Sequence, residues 1–360
     1  MASPLHITQI SLGDGYAGSH RFALLSSAEL AKRGHAINLI ANEGSLTARR
    51  ARDLGLKTWT VPATPDRTES YSLVGDILDE LKPGFVVAHH SLERKILMRM
   101  RLRHRAPFKS FAFRNIVSRS FPIVSAIPYN FLLDGQIACS HGVAKSLYRD
   151  GAFPWKVSLA YNGIQVPDPL PPPKARGDFG SGPNETLIGM SAWFHPKRKG
   201  FDLAFRALAQ GLDRPFKLVL MGVQAEHQVE AKNFARSYGL DPQGLLFPGY
   251  VEDVWGMYQA LDLFILPSRE EGFSLSLLEA MACQLPCVVS DIPGNDEAIQ
   301  HKKNGLKFQV SSFNQLQEAI QWLAKNPGEG RRMGEEARRT VLTRFTIGHS
   351  AESLENILGR

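Results

Sequence analysis

Two carboxylates, Glu271 and Glu279, lie eight positions apart in the segment Pro267-Ser-Arg-Glu-Glu-Gly-Phe-Ser-Leu-Ser-Leu-Leu-Glu-Ala-Met-Ala-Cys283. The apolar run Leu263–Leu266 reads as a strand ending at Pro267, and a helix starts near Ser274. The loop carrying Glu270, Glu271 and Gly272 therefore sits at a helix N-terminus. The first N–H groups of a helix have no partners inside it, and its dipole is positive at that end, so the arrangement suits a phosphate. Gly272 lets the backbone come close to such a ligand. Glu279 falls just over two turns along the helix, among Leu277, Leu278, Ala280 and Met281. A carboxylate in apolar company needs polar partners such as sugar hydroxyls. Taken singly, a Glu near a helix start is favoured by the dipole alone, and a mid-helix Glu is often solvated.

A second cluster is Lys197-Arg198-Lys199-Gly200, downstream of the strand candidate Thr186–Met190. Arg offers a bidentate fork to phosphate and Lys a point charge. Without its position after a strand, the same run would read as a solvated basic turn. Three cysteines, Cys139, Cys283 and Cys287, make no disulfide framework, and no Cys or His set has zinc spacing. Cys283 and Cys287 fall in an apolar run and read as buried thiols. Gly13-Asp-Gly-Tyr-Ala-Gly18 spells G-x-G-x-x-G. Alone that is a weak dinucleotide signal, and no acidic residue near a second strand end suits a ribose.

The elements that must hold these residues alternate. Strand candidates are Leu5–Ser11, Ile37–Ala41, Thr58–Val61, Phe85–Ala88, Ser110–Phe113, Gln136–Ala138 and Val157–Ala160, several separated by helical patterns such as Ala23–Lys32. After them, nine of the 18 residues in 167–184 are Pro or Gly, which reads as an interdomain linker. A second series follows: Thr186–Met190, a helix near Asp202–Ala209, Lys217–Met221, Leu245–Phe247, Leu263–Leu266, a helix near Leu275–Cys283, Cys287–Ser290 and Gly305–Gln309. Such alternation predicts mostly parallel sheets covered on both faces. Two such units joined by a Pro-rich segment predict a cleft, with ligands beyond the carboxyl ends of the strands.

The chain has 360 residues, 43% of them hydrophobic and 21% charged, which fits two soluble domains and excludes a disordered or fibrous chain. The net charge of +7 is uneven: residues 1–165 carry 21 basic and 12 acidic side chains, residues 166–360 carry 21 and 23. Residues 94–133 hold nine Lys or Arg and no acid, and without them the net charge would be −2. On a helix through Leu92–Arg105, Leu92, Ile96, Leu97 and Met100 share one apolar face. Met98 and Leu102 fall among Arg94, Lys95, Arg101 and Arg105, a mixture suited to an anionic membrane surface. The N-terminus MASPLHITQI shows no signal-peptide pattern. Ser120–Leu133 is uncharged but too short to span a bilayer. These features predict a cytoplasmic protein, with peripheral attachment to the inner face of the cytoplasmic membrane as an option.

Taken together, the motifs resemble retaining glycosyltransferases of family 4, of the bacterial cell-envelope or lipopolysaccharide type. Glu271 and Glu279 match the family's E-x7-E signature. Asp262-Leu-Phe-Ile-Leu-Pro-Ser, Glu271-Gly-Phe, Leu278-Glu-Ala-Met-Ala and Pro293-Gly-Asn-Asp-Glu297 follow its pattern in order. So do Lys199-Gly200-Phe-Asp202, Tyr161-Asn-Gly-Ile, and Ala17-Gly18-Ser19 ahead of Lys32-Arg33-Gly34-His35. The resemblance covers nearly the whole chain.

It implies an α/β protein of the GT-B fold, two Rossmann-like domains facing each other across a cleft. The implied parts are an acceptor-binding domain at 1–166, the linker at 167–184 and a donor-binding domain at 185–344. A C-terminal helix at 345–360 would return to the first domain. By this resemblance Glu279 would hold the ribose of a UDP-, GDP- or ADP-sugar and Glu271 would lie by the donor sugar. Gly272, Phe273, Ser274 and Leu275 would surround sugar and phosphate, and Lys199 and Arg198 would neutralise the diphosphate. Gly249 and Val251 would flank the nucleobase, with Gly18 and Gly222 also on the donor. Ser19, His90, Arg114 and Asn115 would meet a glycan or lipid-linked acceptor.

The chain departs from the family pattern in three places. Ala192-Trp193-Phe194 replaces a Gly-Arg pair, Gln284 replaces a Gly, and Asn115 stands where a His is usual, with His89 or His90 available for that role. The implied reaction is front-face transfer with retention, the leaving phosphate taking the acceptor's proton, with no protein nucleophile, no cofactor and no metal. Two rival classes are a catalytically silent scaffold of the same fold, against which both Glu residues stand, and a basic membrane- or nucleic-acid-binding protein. No nucleic-acid motif accompanies the basic segment, so no nucleic-acid partner is expected.

Overall fold

The computed structural model describes the chain except residues 1–2, 14, 16–17, 64–66, 104–106, 118–125, 183, 250, 252–253 and 360. Two compact units are present: Met1–Gln165 with Ile347–Arg360, and Val166–Thr346.

In unit 1 the elements run β1 His6–Ser11, α1 Gly18–Lys32, β2 Ala36–Asn42, α2 Leu46–Asp53, β3 Lys57–Val61, α3 Arg67–Leu81 and β4 Phe85–Ala88. They continue as α4 Ser91–Leu102, β5 Lys109–Arg114, α5 Ala126–Leu132, β6 Gly135–Ala138, α6 His141–Arg149 and β7 Val157–Leu159. Unit 2 holds β8 Thr186–Ser191, α7 Phe201–Ala209, β9 Phe216–Met221, α8 Ala225–Ser237, β10 Leu245–Gly249, α9 Val254–Ala260 and β11 Leu263–Leu266. After these come α10 Leu275–Ala282, β12 Cys287–Ser290, α11 Asn295–Ala298, β13 Leu306–Phe308, α12 Phe313–Lys325 and α13 Pro327–Arg344. Helix α14, Ile347–Leu358, belongs to unit 1.

Each unit has one sheet. The orders are β3-β2-β1-β4-β5-β6-β7 and β10-β9-β8-β11-β12-β13, with parallel pairing throughout. Strands such as Phe85–Ala88 and Leu263–Leu266 read as unbroken apolar runs because helices cover both faces of a parallel sheet. Ile7, Ile10, Leu39 and Ile40 are fully buried in unit 1, as are Ile188, Leu218, Leu220 and Ile265 in unit 2. Strand order reverses between β1 and β4, and again between β8 and β11. These are the switch points at which open parallel sheets bind ligands.

Two expectations about the basic segment need correction, and linker residues Lys174, Arg176 and Phe179 are seated within unit 2. Arg176 forks onto Asp262 at 3.0 Å, Lys174 N donates to Gly256 O, and Phe179 is buried. Helix α4 ends at Leu102, and Met98 packs on the unit 1 core rather than among the arginines. The basic segment is also only partly a solvated face. Arg101 pairs with Asp134 at 2.6 Å, Arg99 lies over the Tyr71 ring, and Arg94 and Arg114 approach Tyr129. Arg105 and Arg119 lie outside the described residues. All three cysteines are buried thiols outside any disulfide, and burial pushes the Cys287 thiol up.

Candidate functional site

The switch point of unit 2 brings the two chemical clusters together. Lys199 follows β8, Glu271 follows β11, and Lys199 Nζ meets Glu271 Oε1 at 2.6 Å with both side chains largely shielded. Gly200 makes this possible. Its φ is +73°, and a Cβ there would lie 1.9 Å from Pro267 O, so only glycine lets the two loops touch. Arg269 secures the same turn from the other loop. It donates to both Asp202 oxygens at 2.7 and 2.8 Å and to Lys197 O at 2.6 Å, while its N–H reaches Arg198 O. Arg198 is half-buried, and its Nε has no partner among the described residues. A buried guanidinium N–H left open in this way is suited to an anion.

Ser274 caps α10, its Oγ accepting from Leu277 N at 3.3 Å, and Ser276 Oγ donates to Ser191 O at the end of β8. Helix α10 thus points its N-terminus at the end of the sheet beside Lys199 and Glu271. Gly272, Phe273 and Leu275 are buried in the turn before it, and Phe273 packs edge-on against Phe345. Gly294 presses on this turn from β12's side: a Cβ there would lie 2.5 Å from Gly272 O and 3.1 Å from Glu271 O.

Glu279 is buried and accepts from Tyr258 Oη at 3.3 Å. The phenol explains how a carboxylate is kept among leucines. Gly222 follows β9 and donates its N–H to Gly249 O at 3.0 Å, which sets both glycines at neighbouring strand ends. Val251 is half-buried beyond them, and Tyr250 lies outside the described residues.

The acceptor-side candidates lie at the switch point of unit 1. Ser19 Oγ and His90 Nε2 are 2.8 Å apart, and His90 Nδ1 is 2.8 Å from Glu93 Oε1. Fully buried, Glu93 also accepts from the N–H groups of Leu12, His89 and His90, each at 2.6 Å. With Glu93 accepting from His90 Nδ1–H, the ring's Nε2 is left to accept from the Ser19 hydroxyl. His20 lies against His90 with ring centroids 4.2 Å apart and shares a 2.9 Å hydrogen bond with Ser11 Oγ. Burial, with His90 beside it, lowers its pKa to about 4. His89 is fully enclosed, hydrogen-bonded to Gln9 Oε1 at 2.7 Å, and held neutral by burial. It is a core group, so of the two histidines only His90 is accessible. Gly18 is exposed at the start of α1, and Ala17 lies outside the described residues. Arg114 ends β5 and donates to Gln136 Oε1 at 2.8 Å, and Asn115 follows it.

Sequence reasoning overlooked several of these partners. Tyr258 and Gly294 reach their sites only through the fold. The spacing His90-x-x-Glu93 ahead of an apolar run is a capping-box pattern and marks Glu93. Asp202, in Lys199-Gly200-Phe-Asp202, anchors Arg269, a role that only the fold reveals.

Residues 173–340 match the model of the family described as Glycosyl transferases group 1. N-acetyl-alpha-D-glucosaminyl L-malate synthase of Bacillus anthracis is 37% identical over 113 residues, 31% of this chain and 30% of that protein. The UDP-Gal:alpha-D-GlcNAc-diphosphoundecaprenol alpha-1,3-galactosyltransferase of Escherichia coli is 25% identical across 88% of this chain and 87% of its own. The chain thus spans about a third of the first of these relatives. Among solved structures, Anabaena Alr3699/HepE in complex with UDP-glucose superposes with a TM-score of 0.85 at 17% identity, covering 99% of both chains. That likeness bears on the fold.

Proposed function

We propose, from the premise that the chain carries the GT-B fold and that residues 173–340 belong to the group 1 glycosyltransferases, that it moves a sugar from a nucleotide-sugar to a cell-envelope glycan or lipid-linked acceptor with retention. The observation that carries this reading is the meeting of Lys199, Arg198 and Glu271 at the N-terminal end of α10, with Glu279 buried along the same helix.

The proposed roles follow from the geometry. Glu279, steadied by Tyr258, takes the ribose hydroxyls. The diphosphate lies against α10's first turn, where Lys199 turns from Glu271 to share its charge with the phosphate and Arg198 offers its open Nε–H. As the anomeric bond lengthens, negative charge grows on the phosphate. One preorganised donor or cation at such a place is worth ~3–4 kcal/mol in the transition state. Glu271, released from part of its ion pair, faces the donor sugar, and the leaving phosphate takes the acceptor's proton. The two glutamates do not act as a hydrolase pair, since such a pair flanks one bond from opposite sides. No metal or cofactor enters the scheme.

UDP-sugars are the first donors to test, because Anabaena Alr3699/HepE, which shares this fold, is solved with UDP and with UDP-glucose. Acceptor contact is assigned to Ser19, His90, Arg114 and Asn115. Attachment to the inner face of the membrane is assigned to exposed Lys95 within α4 and to exposed Leu102 and Arg103 at its end. A thermal-shift series with UDP-, GDP- and ADP-sugars tests the donor site. Stabilisation by one nucleotide, abolished in E279A, is the expected result, and no stabilisation by any of them refutes the assignment. The anomeric configuration of the product, read by NMR, tests retention.

A further inference from the structure

Beside the Ser19–His90 pair, unit 1 holds two arginines with no carboxylate to match them. Arg94, in the first turn of α4, and Arg114, the last residue of β5, place their guanidinium carbons 5.9 and 5.2 Å from the centroid of the same Tyr129 ring. Neither enters an ion pair among the described residues. Glu93 is the neighbour of Arg94 in sequence, but its carboxylate is taken up by three backbone N–H groups and His90. Asp150 acts on Arg114 at longer range and itself pairs with Arg149 at 3.3 Å. Burial and the charge of Arg94 together pull the Arg114 guanidinium down to about 10, the mark of two like charges sharing a shielded place.

Open hydrogen-bonding capacity collects at the same strand ends. Among the described residues, Arg94 Nε is buried without a partner, and so are both amide atoms of Asn115, Nδ2 and Oδ1. Arg94 also makes a long 3.5 Å contact to His89 O, and Arg114 spends one N–H on Gln136. Native proteins rarely leave so many buried polar atoms unsatisfied in one place. The like charges call for an anion. Two guanidinium forks and an amide call for one with several oxygens, which a phosphate supplies.

We propose that Arg94, Arg114 and Asn115 form an anion site that takes a phosphate group of the acceptor. This rests on reading unit 1 as the acceptor-binding half. The phosphate belongs either to a soluble phosphorylated acceptor or to a lipid headgroup.

The test is calorimetric titration of sn-glycerol 3-phosphate into the full chain saturated with UDP, which keeps the probe off the donor site, with glycerol as the uncharged control. The expected result is binding of the phosphate but not of glycerol, weakened at least tenfold in R94Q and in R114Q and several-fold in N115A. R94K should recover part of the loss, and UDP affinity should stay as in the wild type. Where R114Q fails to fold, R94Q and N115A carry the test. A parallel arm measures sedimentation with phosphatidylcholine vesicles, with and without phosphatidylglycerol. Binding that depends on Arg94 only in that arm assigns the phosphate to a lipid headgroup, and in the first arm to a soluble acceptor. Binding in neither arm, or binding equally strong in R94Q and N115A, overturns the proposal. Absence of UDP binding would refute the donor assignment alone, and the titration is then read on the K199Q chain.

Discussion

Gly294→Ala offers a direct test of how the Glu271 turn is held. Gly294 has φ +95°, and a Cβ on it would sit 2.5 Å from Gly272 O, 3.1 Å from Glu271 O and 3.2 Å from Gly272 C. Two costs arise, and a second glycine gives a reference for them. Gly239 lies in the same unit with φ +80° and nothing within 4 Å of its added Cβ, so G239A reports a positive-φ backbone cost without overlap, about 1–2 kcal/mol. G294A adds steric overlap, which in packed surroundings costs about 1–3 kcal/mol more. Relief requires the Gly272 carbonyl to retreat about 0.8 Å to reach an ordinary C···O separation. Glu271 is attached to that carbonyl's residue, so its carboxylate and the Lys199 pair move as well. A displacement approaching 1 Å at a reacting centre lowers turnover by about tenfold to a hundredfold. The assay is urea unfolding of both variants, with hydrogen exchange on β11 and α10 and initial-rate kinetics with the accepted donor. A G294A protein as stable as G239A, with wild-type turnover, would refute the claim that this contact shapes the site.

Three further outcomes follow from the geometry. Tyr258→Phe removes the hydroxyl that donates to Glu279 while keeping the ring, and should cost about 0.5–1.5 kcal/mol of nucleotide affinity by calorimetry; unchanged affinity would remove Tyr258 from the site. His20 titrates near pH 4 when folded against an ordinary value of 6.5, so the unfolded chain binds more protons between those values. Its contribution to stability is therefore complete above pH 6.5 and falls away, by up to about 3 kcal/mol, as the pH drops towards 4. Urea midpoints at pH 5 and 7.5 should converge in H20Q without coinciding, because buried His89 titrates in the same sense; an unaltered pH dependence in H20Q would contradict this. Last, transfer assayed after EDTA treatment and exhaustive dialysis should keep its rate, and a loss restored by a divalent cation would overturn the metal-free scheme.

The alternation of apolar strands with helical patterns was readable because parallel sheets bury both faces, so their strands appear as compact runs such as Leu263–Leu266 and Cys287–Ser290. The pairing of Lys199 with Glu271 was approachable because both residues lie in loops that leave strand ends at a switch point. What resisted reading was contact made by distant chain segments. Nothing local to Tyr258 says that its hydroxyl meets Glu279, and nothing local to Gly294 says that it abuts Gly272. Residues 94–133 show the reverse error. A charge count treats all nine cations alike, whereas Arg99 and Arg101 are occupied by Tyr71 and Asp134, and Arg94 and Arg114 converge on Tyr129.

Helix α14 carries a consequence for biosynthesis. It joins unit 1 through Ile347 N to Ile164 O, Ser350 Oγ to Tyr161 O, and Glu355 to both Arg33 and His35. The whole of unit 2 is therefore made between the first and the final pieces of unit 1. A ribosome releases residues 1–165 long before their last helix exists, and α1 must wait with the face meant for α14 uncovered. Unit 2, in contrast, is contiguous and has all its sequence once residue 346 has emerged. The order of maturation is thus the reverse of the order of synthesis: the later domain can close first, and the earlier one is the client left to chaperones. A released chain truncated after Thr346 should show a protease-resistant unit 2 and a labile unit 1.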